Sequence, residues 1–162
     1  MLSALIFGIG NSLRRDDGFG WRVVEALAPS DGVETVTCVQ LTPDYTDLVR
    51  QSRRVLFVDL DQRLTPGVSR FLFVRPVQAR PGALVHHLEP AELLGLTRTF
   101  FGVAPGAAWL AGVGGQDLEL GEGLSTAVEP AVVRVVGQIQ RALARWIQLD
   151  AAPGRSRWER LI

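Results

Sequence analysis

The chain has 162 residues, 47% of them hydrophobic, which suits one folded domain with a full core and excludes a disordered chain. Seventeen basic residues balance seventeen acidic ones, so nothing in the charge favours a nucleic acid or an acidic membrane surface as partner. One cysteine, Cys38, excludes an intrachain disulfide and an all-cysteine metal site, and it fits a reducing cytoplasm.

In chain order, residues 3–9 form an apolar run ending in glycine, the pattern of a buried strand. The opening MLSALIFGIG is too short to span a membrane and lacks the basic region of a signal peptide. A helix is predicted over 19–28, with Gly20, Val23, Val24 and Leu27 on one face and Pro29 as the stop. VETVTCVQL (33–41) alternates as a strand does, and DYTDLVRQS (44–52) reads as a short helix. RRVLFVDLD (53–61) has the continuous apolar run of a central strand, and VSRFLFVRPV (68–77) gives another strand. EPAELLGL (89–96) begins a helix with proline one position in, and AAWLAGVGG (107–115) supplies the last strand. The final helix is predicted to begin near Ser125, with Thr126 and Glu129 at capping-box spacing. Val128, Val132, Val136, Ile139, Leu143 and Ile147 line its apolar face. Residues 1–150 read as one α/β domain and 151–162 as a tail.

The chemistry gathers at LIFGIGNSLRRDDGFGWRVVEAL, near the start. A dinucleotide loop needs a third glycine where this chain has Leu13, and Asp16 and Asp17 would repel a phosphate at the helix start. A Walker loop is absent. Both aspartates could serve as helix caps, but only one side chain can occupy the cap position. The other is free to face the crevice above the strand ends, where open α/β sheets bind ligands. Asp59 follows VLFV at the end of the presumed central strand, where a lone buried carboxylate is expensive; the plainer reading is a turn acid bonded to backbone N–H groups. Asp61 alternates with it but is assigned to solvent. The two histidines, His86 and His87, are adjacent, so one at most faces the crevice. Asp17, Asp59 and one histidine make two oxygens and a nitrogen, a set that suits a borderline divalent metal with open positions. Serine-nucleophile and His-Glu zinc motifs are missing, and Cys38 reads as packing rather than as a nucleophile.

Four stretches in order, GIGNSLRRDDGFGWRVVEAL, VLFVDLD, HHLEPAELL and GEGLSTAVEPAV, resemble the nickel-iron hydrogenase maturation proteases. The resemblance covers nearly the whole chain. It implies a three-layer α/β/α sandwich with a five-stranded, mostly parallel sheet. It implies an aspartic-type endopeptidase, cytoplasmic and monomeric, that removes a C-terminal extension from the hydrogenase large-subunit precursor after nickel insertion. Asp17, Asp59 and His86 take the family's metal-binding and catalytic positions; His86 is chosen over His87 because Leu88 supplies the apolar residue two positions later. Many relatives carry glutamate at the position of Asp17. The nickel is expected to be held by the substrate's cysteines and contacted by the protease, with no organic cofactor. Where many members have a glycine-rich turn, this chain reads VQLTPDYTDL, which resembles a branch of the family that docks a different large subunit. Gln40, Thr42 and Asp44 are the substrate-binding candidates there, Leu41 is expected to pack, and the plainer reading has Thr42 capping a helix at Pro43. The competing functions are a non-catalytic binder of the nickel-loaded precursor, or a protease of related fold acting on another protein. A nucleotide-binding module is disfavoured by Leu13 and the paired acids.

Overall fold

The computed structural model describes residues 1–80 and 88–151. Its strands are β1 (Ala4–Ile9), β2 (Val33–Cys38), β3 (Arg54–Leu60), β4 (Ser69–Phe73) and β5 (Ala107–Val113). Its helices are α1 (Phe19–Ala26), α2 (Thr46–Arg50), α3 (Pro90–Phe101) and α4 (Glu129–Ala151), with 3-10 turns at Arg15–Gly18 and Pro43–Tyr45. The strands form one sheet in the order β2-β1-β3-β5-β4, parallel except for β4 at the edge. The expected mostly parallel five-stranded sheet is thus present.

The two faces of the sheet carry different cores. Ala4, Ile6, Leu56, Val58, Ala111 and Val113 point toward α1 and α4. The alternate residues Leu5, Phe7, Val55, Phe57 and Ala108 pack with Val49 of α2 and with Leu93 and Leu94 of α3. Period-two alternation therefore sorts each strand between two helical layers. Every residue of β1 is buried, which is why it reads as a continuous apolar run and not as an alternating one. Phe7 stacks on Phe57 at 5.4 Å and meets Tyr45 edge-on at 5.1 Å.

Gly20 sets how closely α1 lies on the sheet. A Cβ at that position would sit 2.5 Å from Ile9 N, Ile9 O and Val58 O, all backbone. Its missing side chain brings the helix down onto the ends of β1 and β3, while Phe19 and Val23 on either side are fully buried. Each such side chain contributes on the order of 2 kcal/mol of burial.

The last helix starts later than expected. Residues 126–128 are turn and α4 begins at Glu129. Ser125 O accepts from Val128 N and Glu129 N, so the Glu129 N–H that the Thr126 side chain would have to cap is taken by the backbone. Along α4 the deeply buried positions are Ala131, Val132, Val135, Ile139 and Leu143; Val136 packs only in part. The far end of α4 is pinned by Asp150, which takes a two-pronged ion pair from Arg54 at 2.9 and 3.1 Å. No helix among the described residues is long and apolar enough to cross a membrane.

Glu92 is a buried acid on α3 that accepts from Arg80 N and Nε and from Glu89 N. The Arg80 hydrogen bonds above all pull its pKa from 4.5 to about 2. Its folded pKa lies below the unfolded one, so its contribution to stability is present above pH 4.5 and is lost as the pH falls toward 2. Glu92→Gln should therefore lower the unfolding midpoint at pH 7, and the deficit against the parent should shrink when both are melted near pH 3. An equal deficit at both pH values would show that the charge on Glu92 is not what matters.

Candidate active site

The strand order reverses direction at β1: β2 lies on one side, β3 on the other. The crevice above the carboxyl ends of β1 and β3 is therefore the topological switch point of the sheet. A cleft of about 500 Å³ opens there, lined by Ile9, Gly10, Asn11, Arg14, Asp17, Val39, Gln40, Leu41, Asp59, Leu88, Glu89 and Pro90. Asp17, Asp59 and Gln40 thus meet on one cleft from three separate segments.

Asp17 reaches the cleft from the 3-10 turn between β1 and α1. Its Oδ2 accepts the Asn11 N–H at 2.9 Å. The chain can fold back this tightly because Gly10 has φ +128° and its Cα faces the Asp17 carbonyl, where a Cβ would sit 1.8 Å from the oxygen. Neither aspartate forms a side-chain cap on α1. Asp16 does something different: it is fully buried and accepts from Gln116 N (2.8 Å), Asp117 N (2.9 Å), Ser125 N (2.6 Å) and Ser125 Oγ (2.8 Å). Burial alone would push its pKa up, but the Ser125, Asp117 and Gln116 bonds outweigh burial and hold the carboxyl below the usual range. The cap reading of this acid is corrected, since the side chain points away from α1 into a loop a hundred residues downstream.

Asp59 is the penultimate residue of β3 and is half-buried. Its Oδ1 accepts the Leu60 N–H at 2.7 Å, as a turn acid would. That bond does not offset its surroundings. Burial first, then the negative charges of Asp17, Glu89 and Asp61, push its pKa up to about 7. A carboxyl so placed exchanges protons near neutrality, and its charged form is relieved by any cation entering the cleft. Asp61 is not in solvent: it is 6% exposed and bound by Arg63 and Arg70, with the Arg63 bond foremost in drawing its pKa to about 2. The two arginines explain why this acid can be buried.

His86 and His87 lie outside the described residues. Among those described, no three metal-ligating side chains come together. The adjoining residues are placed: Leu88 and Glu89 line the cleft, and Leu88 bridges Leu41 in an antiparallel pair. Glu89, immediately before α3, is a third carboxylate that the sequence reading assigned no role. Its signal was its position just before Pro90, at the mouth of the same crevice.

In the QLTPDYTDL segment, Leu41 is 3% exposed and packs, as expected. Gln40 lines the cleft; Thr42 and Asp44 do not, and they hydrogen-bond each other at 3.4 Å. Thr42 makes no side-chain cap on the turn that follows it. Cys38 is buried, and burial raises its pKa to about 11, so it is a packing residue and no thiolate nucleophile.

No protein-family model matches the chain, and no curated protein matches it. Solved structures do. The hydrogenase maturating endopeptidase HybD from E. coli superposes with a TM-score of 0.71 at 26% identity, covering 90% of this chain and 93% of its own. The solution structure of an endopeptidase from Escherichia coli gives 0.70 at 27% identity over the same shares. A hydrogenase 2 maturation peptidase from Thaumarchaeota archaeon SCGC_AB-539-E09 gives 0.65 at 26% identity, over 87% of this chain and 97% of its own. The resemblance read from the four motifs is shown in three dimensions, and the hydrolase reading is borne out: the chain is a structural relative of the hydrogenase maturation endopeptidases.

Proposed function

We propose that this protein is an endopeptidase that removes the C-terminal extension of a nickel-iron hydrogenase large-subunit precursor. The protease role in hydrogenase maturation is supported by the named structural relatives. The observation that carries the finer reading is the meeting of Asp17 and Asp59, from two different loops, on one cleft at the switch point of the sheet.

The donor set suits a nickel ion that the substrate brings. Two carboxylates face the cleft, one with its pKa raised by burial and by neighbouring negative charge, so a cation there is welcomed electrostatically. His86 would add a nitrogen. Asp17 is aimed by the Asn11 N–H, and Asp59 by the Leu60 N–H. Acting together they would fix the metal-bearing end of the precursor, so that the scissile peptide stands beside a water molecule. A carboxylate of this pair then serves as the general base that takes that water's proton. Gln40 on the cleft wall is placed to touch the docked chain, and Thr42 and Asp44 lie just outside it, where they can help select a particular large subunit.

The test is incubation of the protein with nickel-loaded precursor, read by intact mass of the large subunit. Loss of a C-terminal peptide is expected with loaded precursor. With nickel-free precursor cleavage should be slowed by about a hundredfold or more, because the protease's own ligands cannot then hold the substrate in place. Equal cutting of both forms would remove nickel from the mechanism. Tight binding without any mass change would favour the non-catalytic binder.

A further inference from the structure

The fourth family-like motif, GEGLSTAVEPAV, contributes no residue to the cleft lining, yet its first residues and those just before it are laced to the first motif. Arg15 N donates to Gly121 O (3.0 Å), Gly121 N to Leu13 O (2.9 Å) and Asp16 N to Asp117 O (3.1 Å). Arg15 Nε pairs with Asp117 at 3.3 Å. At the centre of this lacing sits the Asp16 carboxylate with its four donors, two of them from Ser125. Its immediate neighbour is Asp17.

We infer that Asp16 is a positioning residue: clasped by Ser125, Gln116 and Asp117, it fixes the 3-10 turn so that Asp17 presents its carboxylate to the cleft. The inference rests on the reading of Asp17 as part of the reacting set. The physical reason is reach. The turn at Arg15–Gly18 is one short 3-10 segment, and Arg15 has φ +44°, a conformation that L side chains rarely adopt. Locally that backbone has only short bonds such as Asp17 N to Arg14 O, and a strained conformation of this kind persists where its surroundings hold it. Four hydrogen bonds to one fully buried carboxylate are such a hold, and charge-assisted bonds are the strong kind. Release of the clasp lets residues 15–17 relax, and the Asn11 N–H···Asp17 bond at 2.9 Å goes with it. A displacement of about 1 Å at a reacting group costs on the order of a hundredfold in rate.

The test uses the full chain carrying Asp16→Asn, with Ser125→Ala as a milder variant that removes one donor. Two quantities are measured on the folded fraction: the amide proton shift of Asn11, which reports the Asp17 carboxylate, and the kcat and KM for nickel-loaded precursor. In Asp16→Asn the Asn11 proton should lose its hydrogen-bonded downfield shift and move toward its position in Asp17→Ala. The kcat should fall by about 10- to 100-fold with KM changed by less than about threefold. Ser125→Ala should move both in the same direction by less. An unmoved Asn11 signal overturns the inference whatever the rate does, and so does a moved signal with an unchanged kcat in a protein whose Asp17→Asn variant is inactive. If Asp17→Asn cuts at the parental rate, it is the functional reading of Asp17 that fails; the Asn11 shift then still decides whether Asp16 holds the turn.

Discussion

Replacing Asp59 by asparagine should reduce cleavage of nickel-loaded precursor by about 10²- to 10⁴-fold while the fold stays intact. Asparagine keeps the shape and keeps an oxygen for the Leu60 N–H, so the end of β3 need not move. What it loses is the ability to hold or exchange a proton and to offer a full negative charge to a cation. The parental carboxylate is ionised against burial and against Asp17, Glu89 and Asp61, so an uncharged amide should leave the melting temperature equal or higher at pH 8. Asp17→Asn should show a comparable loss of cleavage. Activity and stability are then expected to move in different directions at the same residue. That separation is the mark of a functional group and not of a structural one. A time course of intact mass together with a thermal melt measures both; parental cleavage by either variant would place the site elsewhere.

A large effect on stability is expected at Gly20. A methyl group there meets only backbone, at 2.5 Å from Ile9 N, Ile9 O and Val58 O, so no flexible side chain can swing aside. The helix must rise off the sheet, uncovering Phe19 and Val23, both fully buried in the parent. Gly20→Ala should cost about 3 kcal/mol or more, a large share of the roughly 5–15 kcal/mol available to a domain. At this chain length that corresponds to a fall in melting temperature of roughly 10 °C. Gly102→Ala is the comparison: φ is +68° but nothing lies within 4 Å, so the cost is limited to about 1–2 kcal/mol of backbone strain. A Gly20 variant as mild as the Gly102 one would mean that α1 has room to shift.

Much of the fold could be read from the sequence because its signals are local. β1 and β3 are buried on both faces and so appear as unbroken apolar runs, and α3 carries its proline at the first helical position. Asp59 could be found because its place at the end of such a run is itself a local fact. The misreadings have other causes. The role of Asp16 depends on Ser125, 109 positions away. Asp61 reads as a solvent acid until Arg70 from β4 is folded against it. For Asp16 the deciding partner comes from a distant loop, where spacing along the chain carries no information, whereas the foremost partner of Asp61, Arg63, lies only two positions on.

The tie between Asp16 and Ser125 also sets an order of events during synthesis. The first motif leaves the ribosome early, but its buried acid has no donors until the segment around residues 116–125 has followed. At about 5–20 residues per second, 109 positions correspond to roughly 5–20 s of translation. For that interval the nascent chain carries Asp17 on a turn that lacks the Asp16 clasp. On the proposed reading of the site, a chain that ends before residue 116 lacks all four donors to Asp16 and has no clasp with which to present Asp17.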